Sequence, residues 1–120
     1  MEDLIKGLTL KNINETMIDI EEFIELYNNN KVELLDVRVP IESKIWQMNF
    51  GLQIPLNELP DRLEELPKDK TIVCVCPKTD RSIVARTYLA SKGIESVYLR
   101  GGLVSMLDRL KGGKSKDINL

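Results

Sequence analysis

A chain of 120 residues with 42% hydrophobic and 30% charged side chains has the size and mixture of one globular domain with a single moderate core. Its formal net charge of −2 argues against nucleic acid as an obligate partner, because neutralising phosphates needs a basic surface. No apolar run approaches the ~20 residues that span a bilayer, and the opening MEDLIKGL carries acid where a secretory leader carries base. A cytoplasmic protein without a membrane partner is therefore expected, in a compartment that keeps thiols reduced. Two cysteines and no histidine exclude Ser-His-Asp and Cys-His pairs within the chain, and two cysteines alone cannot close a four-ligand zinc site; no metal or organic cofactor is implied.

In chain order, residues 1–15 mix polar and apolar side chains without a clear period and are expected to be a loose extension. TMI is a short apolar stretch. In DIEEFIELYNNN, Ile20, Phe23, Ile24 and Tyr27 fall on one helical face, with Asp19 and Glu22 at a capping-box spacing and three Asn at the end. VELLDV reads as a strand and RVPIESKIW as a short helix with Pro40 near its first position. QIPL is a brief extended piece, and PDRLEELP a short helix bracketed by Pro60 and Pro67. TIVCVC, a continuous apolar and β-branched run, is the pattern of a central parallel strand covered on both faces.

RSIVARTYLASKG follows as a helix, with Ile83, Val84, Tyr88 and Leu89 as its apolar stripe and Gly93 as a left-handed cap. IESVYLRGG reads as a last strand and LVSMLDRLKGG as a last helix, with Leu103, Val104, Leu107 and Leu110 facing inward. Residues 112–120 read as a loose tail. Alternating strands and helices over 16–111 predict one α/β domain, a mostly parallel sheet with helices on both faces.

Open parallel sheets bind ligands beyond the carboxyl ends of their strands. Cys76 lies at such a point, between the strand TIVCV and a helix expected to begin near Arg81. Amides of the intervening loop and of the first helical turn have no internal partner, and a helix start favours an anion. A thiolate is an anion, so Cys76 is the candidate nucleophile and needs no histidine. Arg81 and Lys78 add positive charge nearby. Cys74, mid-strand, reads as a small buried hydrophobe. The two thiols would share a strand face roughly 6.5 Å apart at Cα, near the outer limit for a disulfide.

ELLDVRVPIES, IPLNELPDRLEELPKDKTIVCVC, the loop CPKTDRS and ARTYLASKGIESVYLRGG together resemble a single-domain rhodanese over about residues 17–111. The resemblance implies a five-stranded fold and a sulfurtransferase. Cys76 would take sulfane sulfur from a donor such as thiosulfate and pass it, as a persulfide, to a thiophilic acceptor. Pro77, Lys78, Thr79, Asp80, Arg81 and Ser82 would form the binding loop, with Arg81 and Ser82 in its last two places. Similar phosphatases have five residues between nucleophile and arginine; here only four, Pro77 to Asp80, intervene. A module that carries or senses sulfur for a protein partner is the alternative.

The sequence also departs from the family's pattern. Trp46 and Gln47 replace a usual Gly-His, the loop lacks glycine, and Pro77 removes one amide donor. Asp80 is expected to cap the following helix from outside the loop. Asp36 and Arg38 match a family D-x-R; Asp36 is expected as a buried anchor, Arg38 as able to reach the site mouth without a catalytic role. Trp46 and Phe50 are expected to pack.

Overall fold

A computed structural model describes all 120 residues. Five strands form one sheet in the order β1-β5-β4-β2-β3, every neighbouring pair parallel. They are β1 (Met17–Ile18), β2 (Val32–Asp36), β3 (Leu52–Gln53), β4 (Thr71–Val75) and β5 (Ser96–Leu99). β4 sits at the centre, with Leu34 opposite Val73 on one side and Cys74 opposite Tyr98 on the other. This is the place its unbroken apolar run requires, since both of its faces are covered.

Successive strand residues feed opposite faces. Leu34, Val73 and Val75 join Phe23, Ile24, Leu103 and Met106 on one side; Leu35, Ile72 and Cys74 join Leu59, Ala85 and Leu89 on the other. The first layer comprises α3 (Ile20–Asn28) and α6 (Gly102–Leu110), the second α5 (Asp80–Ser91) and a 3-10 turn at Leu56–Asp61. Two short helices, α1 (Glu2–Lys6) and α2 (Leu10–Asn14), precede β1, and α4 (Pro40–Ile45) follows β2. The Asp19 carboxylate caps α3 by accepting from the Glu22 amide at 2.8 Å. Asn30 and Gly93 take the left-handed conformation where the helices before them end. No helix is long and apolar enough to cross a membrane.

Four expectations are corrected. PDRLEELP is not one helix: Pro60 lies inside the 3-10 turn Leu56–Asp61, and a second turn covers Leu63–Glu65. Proline interrupts α-helical bonding but suits short tight turns. On α5 the buried face runs through Ser82, Ala85 and Leu89, leaving Ile83 and Val84 exposed. Two small residues let this helix lie close to the sheet. On α6, Leu103 and Met106 are buried while Val104 and Leu107 are exposed. The rotation of α6 is set by its first amides, which bond the loop after β4.

The chain ends, finally, carry structure of their own. Residues Gly112–Asp117 form a 3-10 turn and Ile118 is buried in the core. The Asn28 side chain holds this tail, donating to the Asp117 carbonyl at 2.9 Å and accepting from the Asn119 amide at 2.8 Å. At the other end α1 and α2 form, although no residue within them is buried.

Candidate active site

β4 stays paired to its last residue, Val75, whose carbonyl accepts from the Val37 amide at 3.0 Å. The chain then leaves the sheet as a loop, residues 76–79, that leads into α5. The loop is anchored from the neighbouring crossover. The Cys76 and Pro77 carbonyls accept from the Leu103 and Val104 amides, at 2.9 and 3.2 Å. These are first-turn donors of α6, which no helical carbonyl satisfies.

Such an approach requires glycine at position 102. Its φ is +66°, and a Cβ there would lie 2.0 Å from the Lys78 carbonyl oxygen and 2.7 Å from that of Cys76. Gly102 is a site-building residue that sequence reasoning missed, although the RGG run marked a place where backbone geometry is special.

With those carbonyls turned toward α6, the amides of Lys78, Thr79, Asp80, Arg81 and Ser82 make no bond to a backbone carbonyl. Pro77, half-buried, has no amide hydrogen to offer. Lys78 is exposed at the loop tip. Thr79 is the N-cap residue of α5, and its carbonyl accepts from the Ile83 amide at 3.0 Å and the Ser82 hydroxyl at 3.1 Å. Ser82 therefore tightens the turn from a buried position.

Two loop side chains stand elsewhere than expected. Asp80 does not cap from outside: its carboxylate lies over Cys76, and the Cys76 Sγ donates to its Oδ1 at 3.5 Å. The Arg81 amide, then the Cys76 thiol, hold the Asp80 carboxyl below its usual range. Cys76 itself is 0% exposed, and the Asp80 carboxylate is bonded to its sulfur.

Arg81 pairs with Glu42 of α4 rather than with the sulfur, at 2.5 and 2.8 Å through its two terminal nitrogens. This two-pronged bond, ahead of all other causes, pulls the Glu42 carboxyl down to about 2 and raises Arg81. Glu42 also accepts from the Val39 amide at 3.1 Å, fixing the start of α4. Sequence reasoning missed Glu42 because an acid in a first helical turn ordinarily serves only the helix.

Behind the loop, Asp36 and Arg38 form a buried ion pair at 2.7 Å. Arg38 also donates to the Trp46 carbonyl at 2.8 Å and lies 5.4 Å from the Trp46 ring centre. Asp36 is thus the expected anchor, whereas Arg38 is buried and committed, and does not reach the mouth. Trp46 and Phe50 pack against the core as expected. Cys74 is wholly buried, and desolvation pushes its thiol up to about 12. It is the inert cysteine of the pair.

Comparison with known proteins identifies the domain. The family model of the rhodanese-like domain matches residues 19–108. A sulfurtransferase of Allochromatium vinosum is 36% identical over 95 residues, covering 78% of this chain and 87% of that protein. A rhodanese-related protein of Thermoplasma volcanium superposes with a TM-score of 0.69 and 28% identity, over 78% of this chain and 91% of that one. The reduced Bacillus anthracis CoADR-RHD structure matches 78% of this chain at 35% identity and a TM-score of 0.70. There the chain spans only 17% of a longer protein. The all-parallel sheet, the loop after its central strand and the span of the family match together make this chain a member of the rhodanese-like domain family.

Proposed function

We propose that the chain is a sulfurtransferase that moves sulfane sulfur from a donor such as thiosulfate to a thiophilic acceptor, by way of a persulfide on Cys76. One observation supports this reading above the rest. Cys76 follows the central strand and opens a loop whose next amides, Lys78 to Ser82, make no bond to a backbone carbonyl. Such amides suit a sulfur that must be negative before attack and negative again as a persulfide. In the resting arrangement the Cys76 side chain is buried and bonded to Asp80, so Asp80 turns aside when a donor enters.

The thiolate then attacks the outer sulfur of the donor. The donor's bond to that sulfur breaks, its electron pair leaves with the remainder of the donor, and Cys76 carries the added sulfur. An acceptor attacks the terminal sulfur and restores the thiolate, a double displacement. The Arg81–Glu42 pair holds the first turn of α5 against α4 while this happens. Two free thiols fit a reducing compartment such as the cytoplasm. Treatment with thiosulfate or an organic hydropersulfide, followed by intact-mass measurement, tests the proposal. One added sulfur is expected on wild type and none on Cys76→Ser; equal addition to both would overturn it.

A second reading is favoured by the surface. Away from the chain ends and Val39, the exposed large hydrophobics are Ile41 and Ile45 on α4, Ile83 and Val84 on α5, and Val104 and Leu107 on α6. All three helices follow strands of the parallel sheet and so start at its carboxyl edge, around the loop. Such a rim suits a protein acceptor that presents its own thiol against apolar side chains. If that acceptor is the physiological one, persulfide on Cys76 discharges readily to a protein thiol and only slowly to cyanide. Ready discharge to cyanide alone would return the assignment to a small-molecule enzyme.

A further inference from the structure

The carboxylate closest to the nucleophile is Asp80, whose Oδ1 lies 3.5 Å from the Cys76 sulfur. Two other charged elements border the loop. The Arg81 guanidinium is occupied on both terminal nitrogens by Glu42, so that pair is neutral as a unit. Lys78 is exposed at the loop tip. The charged side chain that bonds the sulfur is therefore a carboxylate, and the cysteine beside it is 0% exposed. Asp80 is itself exposed, so its charge acts on a donor at short range and is screened by salt beyond that.

Resting on the sulfur-transfer reading, we infer that Asp80 sets the class of donor: the site takes sulfur from a neutral or cationic hydropersulfide in preference to the thiosulfate dianion. The S–H of a hydropersulfide can donate to Asp80 in the place the Cys76 thiol occupies at rest, whereas thiosulfate brings two negative charges and no hydrogen to donate. Specificity here is mainly rejection, by a like charge placed against the wrong substrate. In the transfer the Cys76 thiolate attacks the outer sulfur of R–S–S–H, and the donor S–S bond breaks with its electron pair on R–S. That thiolate takes up the proton Cys76 released, so R–S–S–H and Cys76–S–H become R–S–H and Cys76–S–S–H without net oxidation.

The test separates charge selection from sulfur transfer. Cys76 is labelled with methanethiosulfonates bearing a trimethylammonium or a sulfonate group, rates are followed by intact mass, and each is normalised to a free small thiol. Cys76→Ser reports any contribution from Cys74. Wild type is expected to favour the cationic reagent, and Asp80→Asn to reduce the cation-to-anion ratio about tenfold. Asp80→Ser serves as a second variant, with folding of each checked by circular dichroism.

Thiosulfate loading of Cys76 is expected to rise about tenfold in either variant and loading by cysteamine hydropersulfide to fall, because the carboxylate no longer repels the one or accepts the S–H of the other. A ratio unmoved by both substitutions, or thiosulfate loading that does not rise, overturns the inference. Failure of both donors to load Cys76 in every variant overturns the sulfur-transfer reading instead, and the labelling ratio, which needs no transfer, still decides the role of Asp80.

Discussion

Gly102 shows how one residue can govern a site without touching substrate. Its positive φ lets the first amides of α6 reach the Cys76 and Pro77 carbonyls, and the loop backbone fills the space a side chain would take. Gly102→Ala is expected to destabilise by about 2–3 kcal/mol through left-handed strain and displacement of the loop. Persulfide loading of Cys76 should fall at least about tenfold in whatever fraction remains folded. A thermal melt and intact-mass loading check the two halves separately.

Glu42 gives a prediction in pH. Its carboxyl is lowered from the usual 4.5 to about 2 in the folded state, so its pair with Arg81 is fully stabilising above pH 4.5 and is lost as pH falls toward 2. Because both side chains are about 30% exposed, the contribution is ~0.5–1 kcal/mol. Glu42→Gln should therefore be less stable than wild type by that amount at pH 7, with the difference closing between pH 4.5 and 2 in denaturant titrations.

At the scale of elements, the sheet was the most legible part of the sequence. An unbroken run such as TIVCV has few homes other than the centre of a parallel sheet, and a cysteine following it marks the carboxyl edge. The inward faces of α5 and α6 were legible only in part: Leu89 and Leu103 are buried as expected. Ser82 and Ala85 are buried there while Ile83, Val84, Val104 and Leu107 are exposed. Periodicity locates an apolar stripe but not where its edge leaves the core, and on these helices one side of the stripe is exposed.

Nor did loop length alone place Asp80 and Arg81. Each side chain is positioned by a partner, Cys76 for one and Glu42 for the other. The D-x-R at the end of β2 was legible as an anchor because buried charges need mates. Asp36→Ala leaves the Arg38 guanidinium buried and unpaired, and should destabilise by about 3–5 kcal/mol. Equilibrium unfolding in urea measures it; a loss below about 1 kcal/mol would mean the pair is dispensable.

Taken whole, the molecule closes one core with its last residues. Ile118 packs beside Phe23, Leu103 and Met106, and Asn28 ties down the tail from 89 residues earlier in sequence. That separation is why the tail reads as loose in a linear scan. Ile118→Ala is expected to lower stability by about 2 kcal/mol, a rim-of-core value rather than that of a central leucine. Urea titration checks it, and a loss under about 0.5 kcal/mol would show the tail to be merely apposed.

The same whole-molecule view joins the site to its surroundings: a covered thiol, a carboxylate over it, and apolar side chains on the helices that start around it. All of this depends on Cys76 acting as the sulfur-carrying atom. Peptide mapping after donor treatment and alkylation measures that directly. The account predicts added sulfur on the peptide holding Cys76, located by fragmentation of that peptide on Cys76, with none on Cys74, and its removal by a thiophilic acceptor. Sulfur found on Cys74, or on Cys76 but untouched by any acceptor, would contradict it.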